Sequence, residues 1–541
     1  MTLFEPDSDL VTGPVVAGAP EEPVLHVDEI QGNVLPGFNT RHQRLLGIRF
    51  DGPERARTWL RAIADRVSTL AAVHEVRNVR RRALCRGESR PPTPVWTSVA
   101  FSADGLRLFT ADVDEIRELA FLAGMAQRGL GDPPPGFPGH RSEWVVGGSA
   151  QTVPHALVTL AADDAAQLAS PMEAAIDGLP AAALIFDQEG EVLEGGREHF
   201  GFRDGLSQPG VRGRLSTGER HYLTRRYVDP EDSRALTDSR PGQPLIWPGQ
   251  FVFGYGGQRA NDAVLAGEVV AGGPDWMNDG SFLVFRRLRQ DVATFRGETR
   301  RMCADTGLPL TAAQLEGRLV GRWPEGTALM RNPERDDRDP MADRMAVNYF
   351  GFDEATTPVR VSADPCAGIE DRALVSSELR GVQGAPQDDP GLRCPRFAHI
   401  RKVNPRDVAP TDKGGAEDTL GRAIMRRGIT WGAPYPDDPA AQAGDDGDRG
   451  LLFLAYQTRI SKQFQVLNND WMNGSDAPEG NAGQDLLVGQ RYAGGKGDRK
   501  ATLLWEGTEV SLATDRHWVI PTGGGYFFTP SISTLRAFAG T

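Results

Sequence analysis

Hydrophobic and polar residues alternate along the chain in a pattern that favours strands followed by helices. At residues 44–51, RLLGIRFD, the apolar side chains of Leu46, Ile48 and Phe50 fall on one face, which is typical of a half-buried strand. The next segment has Pro53 near its start, as helices often do. The spacing of its apolar residues predicts a single helix with one buried face, formed by Ala56, Trp59, Leu60, Ile63, Val67 and Leu70.

Three more strand-then-helix units and one additional strand share this patterning. The units begin at SFLVFRRL (281–288), HALVTLAADDAAQL (155–168) and GLLFLAYQTRISKQFQVL (450–467), and VWTSVAF (95–101) is the additional strand. In the unit at 450–467, Ile460, Phe464 and Leu467 are spaced for one helix face. Strands punctuated by helices in this way predict an α+β fold of two domains with a similar plan. We expect each domain to be an antiparallel sheet with helices on one side.

Composition and charge narrow the class of protein. The formal net charge of −13 argues against nucleic acid and anionic membranes as partners. No apolar run reaches the roughly 18–20 residues that span a bilayer, and the first residues, MTLFEPDSDLVTGPVV, carry no secretory signal. A cytoplasmic location is therefore expected. The four cysteines are scattered without a CxxC pair, so neither a disulfide framework nor a zinc cluster is expected.

Familiar catalytic motifs are absent, and three residues remain as candidates for chemistry. The nine histidines include no HExxH pair, and no phosphate-binding loop or GxSxG nucleophile motif occurs. His399 stands in CPRFAHIRKVNPRD, and Arg426 follows in GRAIMRRGITWG. Asp204 lies between glycines in HFGFRDGLSQPG. Taken singly, each has an ordinary explanation: a satisfied polar histidine, a surface salt bridge and a surface turn.

Taken together, these segments resemble one family. GFRDGLSQPG carries the GxxDG signature of the dye-decolourising peroxidases, which are haem proteins, and EIQGNVL (29–35) resembles the opening of the larger bacterial and fungal members. FAHIRKVNPR is similar to the family's proximal-histidine segment and IMRRGITWG to its distal-arginine segment. RGLLFLAYQ and GGGYFFTPS match its late strands. The matches occur in family order from about residue 28 to residue 532.

The resemblance implies a fold and a cofactor. The fold is two ferredoxin-like domains, each an antiparallel four-stranded sheet with helices, and one haem b per chain is held mainly by the C-terminal domain. On this plan residues 1–24 form a flexible tail, residues 25–215 the N-terminal domain ending in the GxxDG segment, and residues 216–541 the haem-binding domain. The Pro-, Gly- and Asp-rich loops near 228–248 and 355–398 are predicted insertions or walls of the site.

The resemblance also assigns the residues that hold haem. His399 is implied as the axial ligand of the iron. Asp485 is the expected acceptor for the other ring nitrogen of this histidine, although an ordinary turn residue would explain it as well. Arg406 is a candidate partner of the haem propionates, and a solvated basic turn is the alternative.

On the opposite, distal face the family pattern implies two catalytic residues. Asp204 would transfer the proton of hydrogen peroxide, and Arg426 would donate hydrogen bonds to the peroxide oxygens. Gly201 and Gly205 would let the backbone approach the porphyrin and adopt unusual dihedral angles. Gly428 stands where some relatives carry a polar side chain, so Asp204 and Arg426 would share the distal work.

The predicted function is a haem peroxidase that uses hydrogen peroxide to oxidise dyes, phenols or similar aromatic donors. Trp431 is the tryptophan nearest to Arg426 in sequence, and packing is the better explanation for it than electron relay. One alternative is a haem-handling protein, for example one that removes iron from haem, which would need His399 but not Asp204 with Arg426. Another is a non-catalytic α+β module without the cofactor.

Overall fold

The computed structural model describes residues 16–127, 130–218, 220–336, 343–363, 379–411, 414–442, 445, 447–490 and 498–540. Most of the predicted tail, residues 1–15, lies outside the described residues, as does Cys366. Cys303 and Cys394 are free. Cys85 is disulfide-bonded, so the expectation that no cysteine is paired is wrong at this position.

Eighteen strands are present in the described part of the chain. They are β1 His42–Ile48, β2 Trp96–Phe101, β3 Ala156–Ala162, β4 Leu184–Glu191, β5 Gly210–Val211, β6 Asp238–Arg240, β7 Gln243–Ile246, β8 Gly256–Arg259, β9 Asp262–Val269, β10 Ser281–Gln290, β11 Val359–Ser362, β12 Leu379–Val382, β13 Met425–Arg426, β14 Ile429–Trp431, β15 Gly450–Gln457, β16 Arg499–Trp505, β17 Thr508–Thr514 and β18 Val519–Thr529.

The helices are mostly short. The α-helices are Pro53–Ile63, Leu70–Cys85, Ala103–Leu106, Leu119–Ala123, Ala169–Ile176, Val292–Thr306, Ala312–Val320, His399–Val403, Pro439–Gln442 and Ile532–Ala539. The 3-10 helices are Ala64–Arg66, Asp112–Glu115, Met125–Gln127, Arg141–Glu143, Ala165–Leu168, Ala181–Ala183, Glu194–Gly196, Ser233–Leu236, Pro248–Gln250, Asp275–Met277 and Ala416–Arg422. A π-helix spans Val466–Met472. Within the described ranges, no helix has the length and apolarity that crossing a bilayer requires.

Two antiparallel sheets of the same plan form the centre of the molecule. In the first, the strand order is β4-β1-β3-β2, and in the second β13-β15-β10-β18, with β14 continuing β13 along β15. Each sheet therefore places its first strand between its third and fourth, as in the ferredoxin-like arrangement. A single residue pair, Phe101 with Phe528, joins β2 to β18 and makes the sheets continuous. The predicted α+β fold is confirmed, whereas the domain boundary at residue 215 stays a prediction.

Both faces of the first sheet are covered, which corrects the expectation that its first strand is half-buried. Leu46 and Ile48 of β1 belong to the large core on one face. Leu45, on the other face, packs in a second core with Ile30 and Val34 of the EIQGNVL segment. The segment therefore covers a sheet face that the helices leave open.

The predicted single helix after β1 is wrong, because the chain forms two. The first helix ends at Ile63, and Val67 leaves helical dihedral angles after a short 3-10 turn. Thr69 then starts the second helix by accepting a hydrogen bond from the Ala72 N–H. The predicted apolar residues are nevertheless all buried. The spacing identified the buried face correctly but gave no sign of the break.

The last described helix returns to the N-terminal half of the chain. Arg57 Nη1 donates to the Phe538 carbonyl oxygen at 2.9 Å, and Arg61 Nε donates to the Ala539 carbonyl oxygen at 3.0 Å. The ring of Phe538 stacks on Phe109 with centroids 5.5 Å apart. The helix Ile532–Ala539 therefore completes the core beside the helix Pro53–Ile63.

The segments between the two sheets build the surroundings of a cavity. The predicted loop at 228–248 contains β6 and β7, and β7 pairs with β5 directly after the GxxDG segment. The predicted loop at 355–398 contains the hairpin of β11 and β12. These insertions are thus partly ordered as small sheets.

Candidate active site

A cavity of about 350 Å³ brings the predicted residues together. Its size lies within the range of small-molecule sites, ~300–1,000 Å³. Its apolar lining includes Phe202, Leu206, Ile246, Val320, Phe453 and Leu487. The predicted residues Asp204, Gly205, His399, Arg406 and Arg426 all line it, whereas Gly201 and Asp485 do not.

A partly buried glutamate organises the turn that carries Asp204. Glu198 Oε2 and Oε1 accept hydrogen bonds from the backbone N–H groups of Phe200 and Phe202, each at 2.9 Å. Burial raises the pKa of Glu198 to about 7, against the opposing effect of these hydrogen bonds. Gly201, with φ of +100°, follows within the same turn. Its positive φ matches the predicted unusual dihedral angle.

Gly205 faces open space. Its φ is +74°, and a Cβ added there would meet no protein atom within 4 Å. Since Gly205 also lines the cavity, this opening is available to a bound group.

Asp204 and Arg426 form an ion pair at the cavity. Arg426 Nη1 lies 3.0 Å from Asp204 Oδ1, which also accepts the Gly205 N–H at 2.6 Å. Burial pushes the pKa of Asp204 up, but the charge of Arg426 and these hydrogen bonds outweigh it and leave the pKa below its usual value. Among the described residues, Asp204 Oδ2 has no hydrogen-bond partner. This oxygen is free to accept a proton.

Gly428 is required by the backbone packing beyond Arg426. A Cβ at this position would lie 2.8 Å from the Leu452 carbonyl oxygen, closer than real Cβ contacts allow. No polar side chain can therefore be placed there without moving β15.

His399 lies on another part of the cavity, and Asp485 is buried behind it. His399 Nδ1 is 2.7 Å from Asp485 Oδ2, and the histidine side chain is 30% exposed while the aspartate is fully buried. Asp485 Oδ1 accepts the N–H groups of Leu487 and Val488 at 2.9 and 3.1 Å. The carboxylate is thus fixed on both oxygens. His399 Nε2 has no hydrogen-bond partner within the described ranges, so it can bind a metal.

The chain is similar to known proteins over nearly its whole length. No protein-family model matches the chain. A dye-decolorizing peroxidase from Exidia glandulosa is 28% identical, over 96% of this chain and 90% of the relative. The solved structure of an ancestral D-type dye decolorizing peroxidase is 28% identical with a TM-score of 0.70, covering 95% of this chain and 99% of its own. A dye-decolorizing peroxidase solved in complex with 2,6-dimethoxyphenol is 25% identical with a TM-score of 0.67, covering 96% and 100%.

This chain is similar to the dye-decolourising peroxidases. The similarity extends over nearly the whole chain and nearly the whole of each relative. It identifies the chain as a haem peroxidase, as the sequence predicted.

The cavity fits a haem. The unpartnered His399 Nε2 suits the iron, and the space before Gly205 suits the porphyrin plane. Two arginines that line the cavity, the buried Arg322 and the partly buried Arg406, form no ion pair with a carboxylate in the described part of the chain. Burial lowers the pKa of Arg322 to about 9 and of Arg406 to about 10. These cations suit the anionic propionates.

Asn348 connects the two arginines. Arg322 Nη2 donates to Asn348 Oδ1 at 2.7 Å, and Arg406 Nη1 donates to the Asn348 carbonyl oxygen at 2.9 Å. Arg406 also stacks over the ring of Phe350 at 3.8 Å. The sequence prediction missed Arg322 and Glu198. A charged residue inside the apolar run LVGRW, and an acid directly before the glycine-rich turn, were the available signals.

The helix that carries His399 is held by two buried cations. Arg401 donates from Nε and Nη2 to the two oxygens of Glu479, each at 2.6 Å. Lys402 Nζ donates to the carbonyl oxygens of Gly474 and Gly483, both at 2.9 Å. Because a helix of five residues is not stable alone, these contacts position His399.

We expect Glu479→Gln to lower the free energy of unfolding by about 3 kcal/mol, because it leaves the buried charge of Arg401 with only the more distant Asp388, 3.5 Å from its Nη1, as a counter-charge. Arg401 is 0% and Glu479 5% exposed. The matched control is Asp305→Asn, an exposed partner of Arg301, which should cost less than about 1 kcal/mol. Urea unfolding midpoints measure both. Equal losses in the two variants would contradict the role of the buried pair.

Proposed function

We propose that this enzyme binds one haem b per chain and uses hydrogen peroxide to oxidise dyes, phenols or similar aromatic donors. The observation that carries the proposal is that one cavity is lined by His399, which is hydrogen-bonded to the buried Asp485, and by the ion pair of Asp204 with Arg426. The names of the relatives support dyes as substrates, and the 2,6-dimethoxyphenol complex of one relative supports phenols. A cytoplasmic location stays a prediction.

His399 would bind the iron through Nε2. Its Nδ1–H donates to Asp485, which is fixed by two backbone N–H groups and therefore cannot turn away. A carboxylate in this position raises the basicity of the histidine and fixes its tautomer. When bound, haem supplies an iron that takes up the oxidising equivalents of hydrogen peroxide and passes them to the donor. Arg322 and Arg406 would neutralise its propionates.

Asp204 and Arg426 would handle the proton of the peroxide. Asp204 Oδ2 is free to accept the proton from one peroxide oxygen and to return it to the other, which leaves as water. The guanidinium of Arg426 is positively charged, so it would stabilise the negative charge that develops on the leaving oxygen. The same charge keeps Asp204 ionised and ready to act.

Trp431 does not extend the site towards the surface. It is 2% exposed, and the guanidinium of Arg287 lies 3.6 Å from the centre of its ring. A neighbouring cation disfavours removal of an electron from the ring. Packing therefore remains the better explanation for this residue.

We expect His399→Ala to lose most of its haem, because no other histidine lines the cavity among the described residues. The ratio of haem absorbance to protein absorbance after purification with added haem measures this. His140→Ala, which alters a histidine bonded to Ser142 outside the cavity lining, is the control and should retain haem. Full haem content with an unchanged ferric spectrum in His399→Ala would show that the ligand assignment is wrong.

Asp485→Asn should retain haem but raise the Fe(III)/Fe(II) reduction potential, because a neutral amide weakens the electron donation of His399 to the iron. Spectroelectrochemical titration measures the potential. Asp476→Asn changes an exposed acid on the neighbouring loop and should leave the potential unchanged. The same potential in wild type and Asp485→Asn would remove this residue from the proposal.

The rate of reaction with peroxide should persist into mildly acid solution. Asp204 has a pKa below the ordinary value near ~3.9, whereas a histidine base would be protonated below about pH 6.5. Arg426→Leu removes the charge that opposes the effect of burial on the pKa of Asp204. The acid side of the pH–rate profile of this variant should therefore move to higher pH. Asp204→Asn should lower the rate about 100-fold or more at every pH.

Stopped-flow absorbance of the haem after mixing with peroxide gives the second-order rate at each pH. This rate reports the reaction with peroxide more directly than the pH optimum of dye oxidation does, because that optimum also depends on the donor. Identical rates in wild type, Asp204→Asn and Arg426→Leu across the pH range would contradict the distal assignment and favour a haem-handling protein.

A further inference from the structure

We infer that Gln208 is a positioning residue that sets the place of Arg426, an inference that rests on the proposed function. Its side-chain amide binds both backbone polar groups of Arg426. Gln208 Nε2 donates to the Arg426 carbonyl oxygen at 2.9 Å, and the Arg426 N–H donates to Gln208 Oε1 at 3.3 Å. One amide therefore acts on this residue as a neighbouring strand would.

The need for such a contact follows from the position of Arg426 in the sheet. It lies on β13, a strand of two residues at the outer end of the strand order. The N–H of the next residue, Arg427, donates to the Leu454 carbonyl oxygen on β15. Because backbone groups alternate in direction along a strand, the N–H and C=O of Arg426 face away from β15. Without Gln208 the N–H would lose its acceptor, and the C=O would keep only the hydrogen bond from Arg427 Nη1 at 3.0 Å.

The same short segment also holds the side chain of Arg426. Nη1 binds Asp204 Oδ1 at 3.0 Å, and Nη2 donates to the Ser207 carbonyl oxygen at 2.9 Å. With the two contacts of Gln208, residues 204–208 bind Arg426 at four points. The base and the arginine are therefore fixed relative to each other by one piece of chain.

Gln208 is itself fixed by a hydrogen bond to its backbone. Its backbone carbonyl oxygen accepts a hydrogen bond from Gln243 Nε2 at 2.9 Å, and Gln243 Oε1 accepts one from Ser239 Oγ at 2.6 Å. Asn348 Nδ2 donates to the Leu206 carbonyl oxygen at 2.7 Å. The segment is thus supported by β6, β7 and the residue that connects Arg322 with Arg406.

The first test is a double-mutant cycle on the haem-loaded enzyme. Gln208→Met keeps the length of the side chain but neither hydrogen bond, and should lower the second-order rate with peroxide about tenfold, the effect of roughly two ordinary hydrogen bonds. In the background of Arg426→Leu the same change should have no further effect. Equal tenfold losses in both backgrounds would overturn the inference, since Gln208 would then act without Arg426. An unchanged rate in the single variant would also overturn it.

The second test measures position without activity. Hydrogen–deuterium exchange of a peptide that contains Arg426 should be faster by about tenfold or more in Gln208→Met, because its amide loses its acceptor. Gln463→Met is the matched control: this glutamine donates to the Gln250 and Ala423 carbonyl oxygens and accepts from the Arg459 N–H, but does not touch Arg426. It should leave exchange at Arg426 unchanged. Equal exchange in wild type and Gln208→Met would overturn the inference.

The two tests separate this inference from the proposed function. If Arg426→Leu retains the full rate with peroxide, the distal assignment fails, and the catalytic part of the inference fails with it. Faster exchange in Gln208→Met would still support the contact itself. If Arg426→Leu is slow while Gln208→Met is as fast as wild type, the proposed function stands and the inference alone is wrong.

Discussion

The ion pair between Asp204 and Arg426 joins residues that are 222 positions apart in sequence. Desolvation of Asp204 beside an apolar cavity raises the pKa of this carboxyl group, although 38% of the side chain is exposed. The charge of Arg426 and the hydrogen bonds to Asp204 outweigh this effect and leave the pKa below its usual value. The turn around Glu198 and the edge strand β13 serve to keep these two groups at hydrogen-bonding distance.

On the histidine side of the cavity, buried charged groups are also stabilised by specific hydrogen-bond partners. His399 has one nitrogen bound to a fully buried carboxylate and the other free. The residues that follow it, Arg401 and Lys402, are cations buried completely and satisfied by Glu479 and by backbone carbonyl oxygens. Neighbouring positions on one short helix thus place His399 at the cavity and anchor the helix in the protein interior.

The main features of the fold and site could be predicted, and the failures have physical causes. Strands β10 and β15 were visible because continuous or alternating apolar residues report burial directly. The helix break near Val67 was not visible, since the apolar spacing continues across it and only the cap at Thr69 marks the new start. Arg322 was missed because its function depends on having no acid nearby in space. Sequence spacing carries no information on that.

The return of the helix Ile532–Ala539 to the helix Pro53–Ile63 has a consequence for synthesis on the ribosome. The first sheet can pair its strands once residue 191 has emerged, but Arg57 and Arg61 find their carbonyl partners only when residues 538 and 539 are made. More than three hundred residues are translated in between. During that interval part of the N-terminal core lacks its cover, so a nascent chain stalled before this helix presents an apolar surface to chaperones and to other unfinished chains.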